Sequence, residues 1–201
     1  ELAEWRQMQT VAESIPMDAK AKQLLIALKN GFALMKKSGA KKKAVIFTES
    51  VETQKMLIFL LSDKYKTCLY NGGSDYSSIQ KFKTSGEILI STDNGAKGFN
   101  LEDAAFVIHY DLLYNTLKME QRIDRCHRLG QENDVLSLAF IDKNNFADVR
   151  KLELVNKRML VADGVFGITD EVIGGFTENL DTAFEAVSRR IRTKEQVKDD
   201  Y

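Results

Sequence analysis

The sequence EILISTDNGAKGFNLEDAAFVIHYDLLYNTLKMEQRIDRCHRLGQ, residues 87–131, contains the strongest indications of the fold. It begins with a short apolar run at 88–90, and such a run is typical of a strand buried on both faces of a parallel sheet. Glycines interrupt the pattern, and a second apolar run follows at 106–108. From Leu117 the apolar period becomes helical. This order of strand, loop, strand and helix predicts an α/β protein with an open parallel sheet.

The predicted helix has two different faces. Its apolar face is formed by Met119, Ile123 and Cys126. The opposite face, about 200° away, carries Gln121, Arg125 and Arg128. Because open α/β sheets bind ligands at the carboxyl ends of their strands, two arginines at that place indicate an anion site. The alternative is a solvated surface in which Asp124 pairs with Arg128.

Three segments of this region resemble motifs of the Snf2 family of superfamily 2 helicases. STDNGAKGFNL at 91–101 is similar to motif V, and YDLLYN at 110–115 is similar to the YD-x-x-WN segment. EQRIDRCHRLGQ at 120–131 resembles motif VI, Q-R-x-x-R-x-H-R-x-G-Q. The resemblance extends from about Lys20 to about Gly167. It implies a RecA-like lobe, in which helices cover both faces of an open parallel sheet.

The resemblance also implies three parts of the chain. Residues 1–19 are expected to form a helical linker, residues 20–167 the second RecA-like lobe of a helicase motor, and residues 168–201 a helical extension. The last part contains a polar stretch, Asn179 to Val197, that predicts a final helix.

Apolar runs and capping residues predict the elements within these parts. Strands are expected at 44–47, 67–70, 88–90, 106–108 and 135–141, and further helices at 1–15, 18–37, 51–61 and 146–160. Asp18 and Ser50 are the expected N-caps, and Gly39 is expected to end the first long helix.

Composition limits the partners that the chain can bind. It has 29 basic and 29 acidic residues, so any binding to nucleic acid must come from a local patch. A lysine cluster at 36–43 is either such a patch or a solvated helix end. Cys68 and Cys126 lie in apolar patterns, which predicts buried, reduced thiols of an intracellular protein. No apolar run is long enough to span a membrane.

The family resemblance implies roles for individual residues. Arg125 and Arg128 would be arginine fingers that stabilise the charge on the γ-phosphate of ATP in the transition state. The residues implied to face the nucleotide are Gln121, Gly98 and Asn100. The residues implied to contact the DNA backbone are Thr48, Gly72, Ser91 and Thr92. No metal ligand is expected in this chain.

Two parts that ATP hydrolysis requires do not occur in this sequence. It has no G-x-x-x-x-G-K-[ST] loop to hold phosphates, and no apolar strand that ends in Asp-Glu to hold Mg²⁺. The resemblance therefore implies one lobe of a DNA-dependent ATPase that translocates on double-stranded DNA. The N-terminal RecA-like lobe of the same protein would bind ATP and Mg²⁺, and the chain alone would be inactive.

A second interpretation belongs to another functional class. The chain would then be a non-catalytic module that binds nucleic acid or protein and has the helicase fold. Under the first interpretation we expect the protein in the cytoplasm or nucleoid of a prokaryote or phage, or in a eukaryotic nucleus.

Overall fold

The computed structural model describes residues 5–7, 10, 18–72, 76–93, 98–111, 113, 115–128, 130–142, 145–148 and 150, and only the backbone at 116, 142, 172–173 and 184–191. The helices defined within these residues are α1 (Ala19–Ser38), α2 (Val51–Leu61), α3 (Ser77–Thr84) and α4 (Thr116–Ile123). The strands are β1 (Ala44–Thr48), β2 (Thr67–Tyr70), β3 (Ile88–Thr92), β4 (Phe106–His109), β5 (Val135–Asp142), β6 (Val172–Ile173) and β7 (Phe184–Ile191).

The strands form one sheet in the order β2-β3-β1-β4-β5-β7-β6. The first five pair in parallel, and Ile46 in the centre of β1 lies between Ile90 of β3 and Ile108 of β4. The last two strands are antiparallel to their neighbours. The predicted open parallel sheet is therefore confirmed, with an antiparallel edge added to it.

Helices cover both faces of the sheet. Because successive side chains of a strand point to opposite faces, Ile46 packs in one core cluster and Phe47 in another. The cluster of Ile46 contains buried residues of α1 and α2. The cluster of Phe47 contains buried residues of α3 and α4. This second face carries the candidate functional site.

Helix α1 begins and ends as its sequence predicts. The carboxylate of Asp18 accepts a hydrogen bond from the backbone N–H of Ala21 at 2.6 Å, and Gly39 follows the helix with φ 78°. In the middle of α1, a Cβ added to Gly31 would lie 2.2 Å from the ring of Phe106. Only a glycine therefore allows α1 to lie this close to β4.

The predicted helix at 179–197 is wrong over Phe184–Ile191, which forms β7. The edge of β5 offers backbone partners along its whole length, from Val135 opposite Ile191 to Asp142 opposite Phe184. This pairing between distant parts of the chain overrides the local polar pattern, as is common for strands. The extension at 168–201 is therefore not helical over these residues, and it continues the sheet of the preceding lobe.

Other differences concern short or undescribed segments. Helix α3 was not predicted, because only Ile79 and Phe82 of its eight residues are buried and give no full apolar period. The predicted helices at 1–15 and 146–160 lie largely outside the described residues, although 5–7 and 146–148 are helical.

The lysine cluster is largely engaged with the protein itself. Lys41 pairs with Asp103, and Lys42 lies 2.7 Å from Glu87. Lys43 is buried and donates to the backbone carbonyl of Lys83 at 2.7 Å, at the end of α3. Burial lowers the pKa of Lys43. These contacts favour the structural interpretation of the cluster over a phosphate-binding one.

Both cysteines are buried and form no disulfide. Among the described residues, none of the helices has both the length and the apolar character needed to cross a bilayer.

Candidate functional site

Two segments lie side by side on the second face of the sheet. We name them the β3–β4 connection, of which residues 93 and 98–105 are described, and the arginine segment, of which residues 116–128 and 130–131 are described. Leu101 of the connection is fully buried in the same cluster as Ile123 and Cys126 of the arginine segment. The backbone N–H of Leu101 also donates to the carbonyl of Arg125 at 2.8 Å. Packing and a backbone hydrogen bond thus fix the two segments against each other.

The arginine segment is only partly helical. Asn115 caps α4 by accepting from the N–H of Leu117 at 3.1 Å, and α4 ends at Ile123. The predicted continuation of the helix through Arg128 is wrong, because the chain turns after Ile123. The apolar face at Met119, Ile123 and Cys126 is nevertheless buried as expected. Arg125 and Arg128 lie in the turns that follow α4.

Arg128 connects the two segments directly. A guanidinium nitrogen of Arg128 donates to the carboxamide oxygen of Asn100, and its Nε donates to the backbone carbonyl of Asp124 at 2.9 Å. Gly98 lies two residues before Asn100 and has φ 89°. The structure therefore brings one of the predicted nucleotide contacts, Asn100, to Arg128. This arrangement of amide and guanidinium donors suits an anion.

Arg125 and Gln121 are placed differently from Arg128. Arg125 is half-buried, and its side chain makes no hydrogen bond or ion pair within the described part of the chain. Gln121 is exposed in the last turn of α4. Both residues lie in the arginine segment, as Arg128 does.

Gln131 fastens the end of the arginine segment to the β3–β4 connection. Gly130 has φ 104°, a conformation that side chains disfavour, and it turns the chain so that Gln131 points back. The Gln131 amide nitrogen, which carries two hydrogens, lies within hydrogen-bonding distance of the carbonyls of Glu102 at 2.8 Å, Ala104 at 3.0 Å and Cys126 at 3.3 Å. The Gly-Gln pair that ends the motif thus has a structural explanation, which the spacing alone did not reveal.

We expect Gln131→Ala to lower the free energy of unfolding of this chain by about 1–3 kcal/mol, because carbonyls that it satisfies lose their partner. Urea denaturation measures the change. Glu132→Ala is the matched control, since Glu132 is exposed and the change should stay within about 0.5 kcal/mol. Equal stability of the two variants would contradict the role of Gln131.

A buried arginine lies near the carboxyl ends of β1 and β3. Arg122 is 3% exposed, and its Nε donates to the carboxylate of Asp93 at 2.5 Å. Its guanidinium lies 5.3 Å from the ring centroid of Phe47. The sequence did contain a signal for this residue. Arg122 falls within the apolar stripe of α4, one position before Ile123, where a charged side chain is unusual.

His109 at the end of β4 is completely buried. Its Nε2 lies within hydrogen-bonding distance of the Ser137 hydroxyl, at 3.1 Å. Burial, together with the charge of Arg122, lowers the pKa of His109 to about 3. The imidazole is therefore neutral at physiological pH.

We expect the stability of the chain to fall as pH decreases below about 6.5, the ordinary pKa of histidine. Between pH 6.5 and about pH 3, His109 becomes protonated in the unfolded state but stays neutral in the folded state, because its folded pKa is about 3. The loss is at most about 1.4 kcal/mol per pH unit, and it stops growing below the folded pKa. Urea unfolding between about pH 7.5 and pH 5 measures the slope. His109→Asn should flatten it, and an unchanged slope in that variant would contradict the assignment.

The residues predicted to contact DNA differ in their access to solvent. Thr48 is fully buried, and its hydroxyl donates to the Asp111 carboxylate at 2.5 Å. Ser91 is also fully buried, and its hydroxyl donates to the carbonyl of Thr92. In this conformation neither hydroxyl can reach a phosphate. Gly72 is exposed, with φ 82°, and Thr92 keeps a small exposed fraction of 8%.

Asp111 organises the end of β1. Besides Thr48, it accepts from the backbone N–H of Glu49 at 3.0 Å and pairs with Lys20 at 3.5 Å. Burial alone would raise the pKa of Asp111, but these hydrogen bonds and the Lys20 charge outweigh it and hold the pKa below its usual value. The YD-x-x-WN-like segment therefore supports the strand ends from within.

Comparison with known proteins identifies relatives of this chain. Residues 20–130 match the family described as the helicase conserved C-terminal domain. An ATP-dependent helicase of Bacillus subtilis, YqhH, is 33% identical over 137 residues, which are 65% of this chain and 24% of the relative. The human helicase-like transcription factor is 38% identical over 80 residues, which are 40% of this chain and 8% of that protein.

A solved structure gives the same result at the level of the fold. The crystal structure of the C-terminal part of the Fun30 ATPase domain superposes with a TM-score of 0.58 at 26% identity, covering 67% of this chain and 44% of that one. The chain thus spans only a minor part of the length of its relatives.

Proposed function

Because the chain belongs to the family of helicase conserved C-terminal domains, in its Snf2-like form, we propose that it is the second motor lobe of a DNA-dependent ATPase. The lobe supplies two arginine fingers to an ATP molecule held by a preceding RecA-like lobe. Hydrolysis opens and closes the cleft between the lobes and moves the protein along double-stranded DNA.

One observation carries this proposal. The contact between Arg128 and Asn100, with the backbone bond from Leu101 to Arg125, joins the two segments that resemble motifs V and VI. A site that stabilises a phosphate in the transition state needs its donors preorganised. Segments locked to each other in this way supply that preorganisation.

The present partner of Arg128 indicates how ATP would engage it. A neutral carboxamide oxygen is a weaker acceptor for a guanidinium than a phosphate oxygen, because a charge-assisted pair is stronger. The Arg128 fork can therefore exchange Asn100 for the γ-phosphate, which leaves the Asn100 amide for the ribose or phosphate oxygens of the nucleotide. Arg125 reaches the same phosphate from the neighbouring turn. Gln121 and Gly98 border the nucleotide, Gln121 through its amide and Gly98 through its open backbone.

The donors at this site fit an anion and not Mg²⁺, which prefers carboxylate and water oxygens. We assign the metal ion to the preceding lobe, whose phosphate loop and acidic strand end would hold it. No step in this chain depends on the ion.

This lobe exposes fewer of the predicted DNA-contacting residues than the sequence indicates. Gly72 is exposed to the phosphate backbone and Thr92 keeps an exposed fraction of 8%, whereas Thr48 and Ser91 act by holding the strand ends in place. Both backbone N–H groups and small hydroxyls are common phosphate contacts. We therefore assign the contacts to Gly72, which follows β2, and to Thr92 at the end of β3.

The test is the ATPase activity of a longer protein that carries this chain with its preceding lobe. We expect turnover that rises on addition of duplex DNA, and rises less with single strands. Equal turnover with and without DNA would refute the DNA dependence. Equal stimulation by single strands would refute the specificity for duplex.

A second candidate function is a non-catalytic binding module with the helicase fold. The burial of Thr48 and Ser91 favours it, because it removes two of the DNA contacts that the family resemblance implies. In that case the longer protein would bind DNA or protein without hydrolysing ATP.

A further inference from the structure

Arg122 has no role in the proposed chemistry and yet occupies a costly position. It is 3% exposed, and only its Nε has a partner, Asp93. Its two outer nitrogens are buried and have no acceptor among the residues that the structure describes. A buried guanidinium with one satisfied nitrogen contributes little net stability, because desolvation offsets the attraction. An apolar side chain would fill the same stripe of α4 at lower cost.

The pair lies where a fixed position has consequences for the site. Asp93 is the first residue after β3 and begins the connection that carries Gly98 and Asn100. Arg122 lies in the last turn of α4, directly before the turns that carry Arg125 and Arg128. The guanidinium of Arg122 lies over the ring of Phe47, which places the Asp93–Arg122 pair at the end of β1.

Several contacts join the two segments. Asp93 meets Arg122, Asn100 meets Arg128, and the carbonyl of Glu102 accepts from Gln131. The N–H of Leu101 donates to the carbonyl of Arg125. The Asp93–Arg122 pair is the contact at the start of the connection, and it determines where the connection starts relative to α4.

We propose that Arg122 is a positioning residue that, through Asp93, sets the β3–β4 connection so that Asn100 meets Arg128 and Leu101 meets the backbone of Arg125. This inference rests on the proposed function only where it predicts an effect on ATP turnover. The placement of the connection is independent of any ligand.

The test uses the longer protein and separates positioning from stability. The variants are Arg122→Met, Arg122→Lys and the double replacement Asp93→Leu with Arg122→Met. Replacing both charges by apolar groups is often neutral or stabilising, so we expect the double variant to unfold at the temperature of the wild type or above it. We expect its DNA-stimulated kcat to fall by about 10²-fold, as for small misplacements of reacting groups. The KM for ATP should change by no more than about threefold, because the other lobe binds the nucleotide.

Arg122→Lys keeps the charge and should recover part of the lost kcat. A double variant with wild-type stability and wild-type kcat would overturn the proposal, as would a change confined to KM. If Arg122→Met alone does not fold, the double variant still tests the positioning role.

A second measurement does not depend on catalysis. Hydrogen exchange of the Leu101 amide, which donates to Arg125, reports whether the connection still lies against the arginine segment. We expect exchange about tenfold faster in the stable double variant than in the wild type. Unchanged exchange would overturn the positioning role. If the wild type lacks DNA-stimulated turnover but the exchange changes as expected, the proposed function fails and the positioning role stands.

Discussion

Replacing Arg125 or Arg128 by alanine in the longer protein is expected to lower DNA-stimulated kcat by about 10³- to 10⁵-fold, the effect of an arginine finger in phosphoryl transfer. Each guanidinium would stabilise charge that develops in the transition state, so its loss should affect kcat more than the KM for ATP. Steady-state ATPase assays at saturating DNA measure both constants.

The two arginines should differ in a second respect. Arg128 contacts Asn100 before any nucleotide binds, whereas the Arg125 side chain has no such partner within the described residues. Arg128→Ala should therefore also loosen the β3–β4 connection, and Arg125→Ala should not. Lysine at either position should restore little activity, because it lacks the planar fork that binds phosphate oxygens in pairs.

Arg6→Ala is the matched control for these variants. Arg6 is exposed and lies outside the region that matches the helicase family. Its replacement should leave kcat unchanged, and DNA binding should be largely retained in all three alanine variants. Wild-type turnover in both Arg125→Ala and Arg128→Ala would refute the arginine fingers.

Much of the fold could be predicted because its signals are local. β2 and α2 have the predicted limits, since each is a run of suitable residues with a clear boundary. The carboxylate of Asp18 and the left-handed conformation of Gly39 act on their immediate neighbours, and a sequence pattern records such effects.

The features that escaped prediction depend on distant contacts. β7 exists because β5 has a free edge, and nothing within 184–191 encodes that partner. Gln131 could be read as part of a motif, but its three carbonyl partners come together only through the turn at Gly130. In both cases the decisive contact joins residues that are far apart in sequence.

For the candidate site, the sequence names residues but not their arrangement. The motif resemblance named Asn100 and Arg128, which the structure brings into contact. It did not reveal that the Thr48 hydroxyl donates to Asp111, or that Arg122 is buried and donates to Asp93. Polar residues at strand ends serve either a ligand or the fold, and their solvent exposure distinguishes the two only in the folded protein.

A second large effect concerns the chain by itself. Phosphoryl transfer requires a loop that binds the phosphates, a metal ion and a positioned water, in addition to arginine fingers. The sequence contains the arginines but neither the phosphate loop nor an acidic strand end for Mg²⁺. We therefore expect the separate chain to lose essentially all turnover, whatever DNA is supplied.

The most direct measurement is steady-state ATP hydrolysis by purified residues 1–201, with and without duplex DNA, beside the longer protein that includes the preceding lobe. Unfolding of the purified chain in urea serves as the control that it is folded. We expect no hydrolysis above background by the folded chain and DNA-stimulated hydrolysis by the longer protein. Turnover by residues 1–201 alone would contradict the claim that this lobe acts on a nucleotide held by another.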